Sequence, residues 1–393
     1  MSARRTFVVF ADDWGRHPSS CQHLFRRIAP HHRVVWVNTI GTRTPTLRPA
    51  DLARAAGKLR EWALGGSDAG AAASDPAVPV EVLRPVMTPF DRWHPLRRLN
   101  ATLLIRAIRA TVSPAERPIL VTTIPNAAGV VGRIEEAASV YYCVDEFSEW
   151  PGADRSVMLE MEAELLSRVD LVVATADALF ESKSARHPRV RLLEHGVDWE
   201  RFRSPAGQPP AAVAALPRPR IGSVGLVDER IDVARFAAVV DAMPEATFTF
   251  VGPRQLPPGE LDRKSNVHFL PAVPYEDVPA VVASFDVAVL PYVESTLTER
   301  INPLKLREFL ASGIPVVATP LPEVRKFVPH VRTARNVDDW VRELRAALAE
   351  GRAGARERSA SVREHGWDRR ADEFLRLCRE AEAAAVASGG VAR

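Results

Sequence analysis

Residues 302–317 read NPLKLREFLASGIPVV, and they predict a short helix that leads into a buried strand. Asn302 is a favourable N-cap residue, and Pro303 suits the first helical position, where an N–H would lack a partner in any case. Gly313 and Pro315 predict the end of the helix. The apolar residues that follow Pro315 are typical of a buried strand.

Two charged residues of this helix predict an anion-binding site. Lys305 and Glu308 are three residues apart, so they share one face of the helix. A helix N-terminus attracts anions, and a lysine there favours phosphate. The Glu308 carboxylate can accept two hydrogen bonds from a vicinal diol such as ribose. The pair therefore predicts a nucleotide-sugar site, and the alternative is a capped surface helix with a solvated Lys–Glu pair.

The chain of 393 residues is long enough for two domains. Short apolar strands that alternate with helical stretches predict parallel sheets covered on both faces. Residues 203–220 contain five prolines and predict a linker between a domain at 1–202 and a domain at 221–365. The terminal helix, at about 366–388, can pack back on either domain and is assigned to the first. Ligands of such sheets bind outside the carboxyl ends of the strands.

Composition restricts the class of protein. Three widely spaced cysteines argue against a disulfide framework and a CxxC metal site. No apolar stretch approaches the roughly 18–20 residues that span a bilayer, so the expected location is the cytoplasm. Residues 1–110 carry 17 Arg or Lys and 8 Asp or Glu. This excess predicts a surface for an acidic acceptor or a membrane, unless it only marks solvated helix faces.

Several segments match one protein family in order and spacing. They are 140–145 (VYYCVD), 195–198 (HGVD) with Phe202, 221–225 (IGSVG), 250–253 (FVGP), 285–292 (FDVAVLPY) and the 302–317 block. On these segments the chain resembles the retaining, group 1-like GT-B glycosyltransferases, which include bacterial polysaccharide and cell-envelope enzymes. The resemblance implies an α/β fold with two Rossmann-like domains that face each other across a cleft. The first would bind the acceptor and the second the nucleotide sugar.

The resemblance also implies a donor site. Glu308 matches the second of two family glutamates, while the first would fall at Arg300, with Glu299 one residue away. The turn 222–225 is expected to bring backbone N–H groups to an anion, and Arg230 stands where the family usually has lysine. The implied donor-binding residues are Gly225, Arg230, Asn302, Pro303, Leu304, Lys305 and Glu308.

The other implied site residues lie in the first domain. Asp145 follows an apolar strand and is the implied catalytic carboxylate, beside Lys305 and Arg230; a helix cap or an ion pair is the alternative, and Glu146 and Glu149 are nearby candidates. The first strand-to-helix loop is expected to meet the acceptor, unless it is a polar loop with a packed tryptophan. The acceptor-binding residues named there are Asp13, Trp14, Gly15 and His17.

The implied reaction moves a sugar from a nucleoside-diphosphate sugar, UDP-sugar being favoured, to an acceptor hydroxyl with retention of configuration. No Asp-x-Asp triad or His/Cys cluster at metal spacing occurs, so no metal or other cofactor is expected. Nor does any motif suggest nucleic acid. The expected acceptor is a glycan, a lipid-linked molecule or a small molecule. Peripheral contact with the inner membrane face is an option, through Arg92, Arg97, Arg98, Arg106 and Arg109. The alternatives are a nucleotide-sugar 2-epimerase and a non-catalytic nucleotide-sugar-binding partner subunit.

Overall fold

The computed structural model describes residues 4–16, 18–38, 78–85, 87–88 and 92–387. It divides the chain into two compact units. Unit 1 comprises Met1–Glu194 and Arg370–Arg393, and unit 2 comprises His195–Arg369. The chain therefore passes from one unit to the other twice.

Unit 1 is built on a parallel sheet with seven strands among the described residues, in the order β3-β2-β1-β4-β5-β6-β7. The order reverses between β1 and β4, where such sheets form a crevice at their carboxyl edge. The strands are β1 (Thr6–Ala11), β2 (Arg33–Asn38), β3 (Val80–Leu83), β4 (Ile119–Thr122), β5 (Ala138–Cys143), β6 (Leu171–Ala174) and β7 (Val190–Leu192). The helices are α1 (Ser20–Ile28), α2 (His94–Thr111), α3 (Arg155–Leu166) and α4 (Asp177–Ser184).

Unit 2 repeats this plan with six parallel strands among the described residues, in the order β10-β9-β8-β11-β12-β13. They are β8 (Arg220–Val224), β9 (Thr247–Val251), β10 (Val267–Leu270), β11 (Val287–Leu290), β12 (Val316–Ala318) and β13 (Arg332–Thr333). The helices are α5 (Trp199–Arg203), α6 (Ala211–Ala214), α7 (Val233–Asp241), α8 (Val278–Ala283), α9 (Thr296–Arg300), α10 (Leu304–Ala311), α11 (Pro322–Arg325), α12 (Val337–Glu350) and α13 (Ala355–Ala360). Its order reverses between β8 and β11.

Unbroken runs of apolar residues explain why the central strands are buried on both faces of their sheet. In β1, Phe7 and Val9 pack on one face of the sheet, while Val8 and Phe10 pack on the other. Since successive side chains of a strand point to opposite faces, an unbroken apolar run gives a strand buried on both sides. The predicted α/β class with parallel sheets follows directly from these runs.

The Pro-rich stretch 203–220, predicted as a linker, lies within unit 2, and the chain divides at residue 194 instead. Phe202 and Val213 are fully buried. The Arg220 guanidinium donates hydrogen bonds to the carbonyl oxygens of Leu216 at 2.8 Å and Ala214 at 2.6 Å. These contacts tie the stretch to unit 2, and no local sequence periodicity reveals them.

The last helix, α14 (Trp367–Ala387), begins in unit 2 and continues into unit 1. Its Phe374 ring packs against Tyr142 at 5.6 Å and Phe25 at 6.0 Å. Farther along, Glu382 pairs with Arg5 at 2.9 Å. The helix thus covers the sheet of unit 1, because its apolar face completes the core on that side.

Candidate functional site

Helix α10 starts in unit 2 after the carboxyl end of β11, but its first residues differ from the prediction. Pro303 occupies the N-cap position, and no side chain caps the helix. The predicted cap, Asn302, is buried and accepts a hydrogen bond from the guanidinium of Arg307. The first N–H groups of a helix have no intrahelical partner, so the start of α10 can accept an anion.

Lys305 and Glu308 form an ion pair at this helix start, with Nζ and Oε2 2.7 Å apart. The Lys305 side chain is 23% exposed, while Glu308 is buried. Burial raises the pKa of Glu308 above its ordinary 4.5, Lys305 opposes that rise, and the nearby Asp198 adds to it. The partly exposed Lys305 therefore favours the ionised form of Glu308, against the effect of burial.

Tyr275 belongs to the same cluster. Its Oη donates a hydrogen bond to Oδ2 of Asp198 at 3.1 Å. Burial raises the pKa of Tyr275, and the charges of Glu308 and Asp198 raise it further, so the hydroxyl stays protonated. Asp198 belongs to the HGVD turn, whose Gly196 lies so close to Trp367 that a Cβ would be 2.6 Å from its ring.

Gly225 lies against the stem of Lys305 and requires glycine. Its φ is +135°, and a Cβ there would lie 3.6 Å from Cε of Lys305. The neighbouring loop is equally close, since a Cβ on Gly252 would lie 2.0 Å from the Gly225 carbonyl oxygen. The Gly225 N–H donates to the Val251 carbonyl oxygen at 2.9 Å. The Gly225 N–H group therefore has a hydrogen-bond partner within the protein, contrary to the expectation that it approaches an anion.

The predicted tight turn 222–225 is also wrong for its first residues. Gly222 lies within β8, where it pairs with Thr249 and Ala288. A Cβ on Gly222 would lie 2.4 Å from the ring of Phe285. This glycine therefore serves close packing between the sheet and the segment before β11, and only Gly225 lies in the loop.

Arg230 follows β8 and is held by Asp228, a residue that the sequence analysis missed. The Nε of Arg230 donates to both carboxylate oxygens, at 2.8 and 3.0 Å, and Nη2 lies 2.8 Å from Oδ2. The guanidinium also lies 5.9 Å from the ring centroid of Tyr292. Asp228 fixes the orientation of Arg230 and offsets part of its charge, as Glu308 does for Lys305.

In unit 1, Asp145 is half-buried just beyond the carboxyl end of β5. The two alternative carboxylates are engaged elsewhere. Glu146 is buried and lies 3.1 Å from Nζ of Lys183, and Glu149 pairs with Arg155 at 3.0 Å. The role of Asp145 as the catalytic carboxylate stays a prediction that rests on the family resemblance.

The first loop of unit 1 differs most from the prediction. Trp14 is only 4% exposed and packs edge-to-face on Trp36, with ring centroids 4.7 Å apart. Its predicted stacking on a sugar does not fit this burial, whereas the alternative, a packed tryptophan, does. Gly15 has φ +80° and donates its N–H to Gln22, and Asp13 forms an exposed pair with Arg16. His17 lies outside the described residues.

The part of the chain that the structure describes contains neither a membrane-spanning helix nor a metal-binding cluster. No helix there is long and apolar enough to cross a membrane. No group of three or more His, Cys, Asp or Glu side chains in that part of the chain is arranged to hold a metal ion.

Comparison with known proteins finds one family model and relatives of known fold. Residues 218–350 match the family model described as glycosyl transferases group 1. A putative teichuronic acid biosynthesis glycosyltransferase, TuaH of Bacillus subtilis, is 28% identical over 181 residues, covering 44% of this chain and 46% of that protein. The chain therefore matches about half the length of this relative.

Solved structures match nearly the whole chain. HepE of Anabaena, solved with UDP and glucose, superposes with a TM-score of 0.66 at 12% identity, over 95% of this chain and 99% of its own. Sucrose-phosphate synthase of Thermosynechococcus elongatus gives 0.67 at 15% identity, over 97% and 100%. The chain has the GT-B fold, and residues 218–350 of unit 2 are similar to group 1 glycosyl transferases. The predicted α/β fold class with two Rossmann-like domains is confirmed, and so is the resemblance to GT-B glycosyltransferases, while retention of configuration stays a prediction.

Replacement of Lys305 tests whether this lysine favours the ionised form of Glu308. Lys305→Met should cost about 1–2 kcal/mol at neutral pH, less than a fully buried pair, and lower the melting temperature by about 2–8 °C. Without Lys305 the pKa of Glu308 rises further above 4.5. In the variant, Glu308 then keeps a proton in the native state that it releases in the unfolded state. The loss of unfolding free energy therefore grows as the pH rises above 4.5 and shrinks as the pH falls below it.

Thermal unfolding of the chain at a series of pH values measures this dependence. Lys264→Met is the matched control, because Lys264 also pairs with a carboxylate, Asp241, at 2.6 Å. Since Asp241 is 59% exposed, its pairing should contribute little at any pH. A loss in Lys305→Met that does not change with pH would contradict the assignment.

Proposed function

We propose that the protein is a glycosyltransferase that moves a sugar from a UDP-sugar to an acceptor hydroxyl with retention of configuration. The observation that carries the proposal is the Lys305–Glu308 pair at the uncapped start of α10. The helix N–H groups and Lys305 would bind the diphosphate, and the Glu308 carboxylate would accept hydrogen bonds from the ribose hydroxyls. HepE, which shares the fold, is a protein solved with UDP and glucose.

The same groups would assist departure of UDP. Negative charge grows on the diphosphate as the bond to the sugar breaks, and preorganised donors and cations stabilise that charge. Lys305 and the first turn of α10 supply them, with Arg230 as a second cation whose position Asp228 fixes. We propose that these groups, rather than a metal ion, meet the charge of the leaving diphosphate.

Asp145 is the residue of unit 1 that we assign to the transferred sugar. An ionised carboxylate can bind a sugar hydroxyl or stabilise positive charge that develops at the anomeric carbon. With retention, the leaving phosphate would take the proton of the acceptor hydroxyl, so that no separate base is required. No observation favours the 2-epimerase or the non-catalytic subunit over transfer.

The acceptor we propose is a glycan or lipid-linked glycan of the cell envelope, handled in the cytoplasm. This proposal is supported by the relative TuaH, which is described as a putative teichuronic acid biosynthesis glycosyltransferase. A small-molecule acceptor is compatible with the donor site as well, because the donor residues of unit 2 do not restrict the acceptor.

Peripheral membrane contact would use fewer arginines than predicted. Arg97 pairs with Glu160 at 3.1 Å, Arg109 with Glu135 at 2.6 Å, and Arg92 lies 3.6 Å from Asp154. Trp93, which precedes the first residue of α2, is 63% exposed, and Leu99 within α2 is 44% exposed. We define the α2 surface by Trp93, Arg98, Leu99 and Arg106, which are all exposed. Exposed apolar and basic side chains together suit an anionic bilayer surface.

Calorimetric titration with UDP tests the donor site. Lys305→Ala and Glu308→Ala should each weaken UDP binding at least about tenfold, or ~1.4 kcal/mol. Lys264→Ala is the control, because this paired lysine precedes β10 and so lies at the opposite edge of the same sheet. GDP in place of UDP tests the choice of base. Unchanged affinity in both site variants would refute the donor-site assignment.

Sedimentation with phosphatidylglycerol vesicles tests the α2 surface. The full chain should sediment at about 0.05 M salt and remain in solution at about 0.5 M, because salt screens surface attraction. Replacement of Trp93, Arg98, Leu99 and Arg106 by serine should abolish sedimentation. Arg345→Ser, which changes an exposed arginine of unit 2, should leave it intact. Equal sedimentation of wild type and quadruple variant would exclude this surface.

A further inference from the structure

The loop that follows β5 is attached to a buried charge network, and we propose that this network exists to position Asp145. Lys183 and Glu146 are then positioning residues, which hold the loop after β5 so that Asp145 can contact the sugar. The inference rests on the role proposed for Asp145 and adds residues that the motifs did not indicate.

Lys183 is the centre of the network. Its side chain is 1% exposed, and its Nζ lies 2.7 Å from Oε1 of Glu162 and 3.1 Å from Oε2 of Glu146. Burial alone would lower the pKa of Lys183, but Cys143, Glu162 and Glu146 raise it above its ordinary value. Lys183 is therefore charged, and it links the loop after β5 to helices α3 and α4.

Glu162 is held from two further sides. It accepts a hydrogen bond from the Tyr141 hydroxyl at 3.1 Å and from Nη1 of Arg186 at 2.9 Å. The network therefore contains two carboxylates, Glu146 and Glu162, and two cations. A buried network that is balanced and well bonded is rigid, because any displacement leaves a charge without its partner.

The loop is also held on the side before Asp145. The Oγ1 of the buried Thr175 lies 3.3 Å from the carbonyl oxygens of both Cys143 and Val144. On the side after Asp145, Ser148 donates a hydrogen bond to Glu146 at 3.0 Å. The residues on both sides of Asp145 are thus fixed, and this leaves Asp145 little freedom to move.

Stability alone is a weak reason for such a network. Replacing a buried ion pair by apolar residues of similar size is often neutral or stabilising, because the charges lose their hydration. The network lies at the end of β5 where Asp145 emerges. At the opposite end of β5, the buried Ser139 donates hydrogen bonds from its N–H and its hydroxyl to Oδ2 of Asp170, at 2.9 and 2.7 Å. A geometric demand on the loop that carries Asp145 accounts for the charged network at the end of β5 where that loop begins.

A double-mutant cycle on turnover separates positioning from stability. The measured reaction is release of UDP from whichever of UDP-glucose, UDP-N-acetylglucosamine and UDP-glucuronate the wild type uses fastest, with water as acceptor. Glu146→Gln, which keeps shape and removes charge, should lower kcat roughly tenfold with KM unchanged, a coupling typical of contacting residues. In an Asp145→Ala background, Glu146→Gln should change kcat no further, although it lowers the melting temperature equally in both backgrounds.

Two variants complete the design. Ser139→Ala is the control, since it removes buried hydrogen bonds at the other end of β5 and should lower the melting temperature without changing kcat. Thr175→Val replaces Glu146→Gln if the latter fails to fold, and Lys183→Arg should retain most of the turnover. If Glu146→Gln lowers kcat by the same factor with and without Asp145, the inference is wrong. It is also wrong if Ser139→Ala lowers kcat as much as Glu146→Gln does. Wild-type turnover in Asp145→Ala would instead refute the role proposed for Asp145.

Discussion

The ion pair between Lys305 and Glu308 is the interaction on which the proposed donor site depends. Burial raises the pKa of Glu308, and Lys305, which opposes that rise, is itself partly open to solvent. A phosphate at the start of α10 would attract the same Lys305, while ribose hydroxyls would replace it as partners of Glu308. The pair is thus suited to exchange an internal contact for contacts with a ligand, which a fully buried pair is not.

Both units place such charges just beyond their parallel strands and hold them with neighbouring residues. In unit 2, Asp228 orients Arg230. In unit 1, Lys183 holds Glu146 beside Asp145. In each case the supporting residue is more deeply buried than the residue that it orients, so the outer side chain is kept in position for a ligand. The sheets supply the rigid edge, because their strands are apolar on both faces.

The sequence predicted what depends on local patterns and missed what depends on distant contacts. Apolar strands alternating with helices predicted two parallel sheets, and the residues around Pro303 and Gly313 predicted helix α10. The stretch 203–220, predicted as a linker, lies within unit 2 instead. The contacts of Phe202 and Arg220 hold it there, and such contacts leave no periodic pattern in the sequence. Trp14 was expected to stack on a sugar. It packs instead on Trp36, which lies in β2 and is distant in the sequence. Asn302 was predicted to cap helix α10, but its side-chain oxygen accepts a hydrogen bond from the guanidinium of Arg307 instead.

The most direct test of the central claim is a crystal structure of the full chain with UDP bound. The account predicts diphosphate oxygens within hydrogen-bonding distance of the first N–H groups of α10 and of Nζ of Lys305, with both ribose hydroxyls on the carboxylate of Glu308. UDP bound at any other place, or a Glu308 that keeps Lys305 as its partner while UDP is bound, would contradict it.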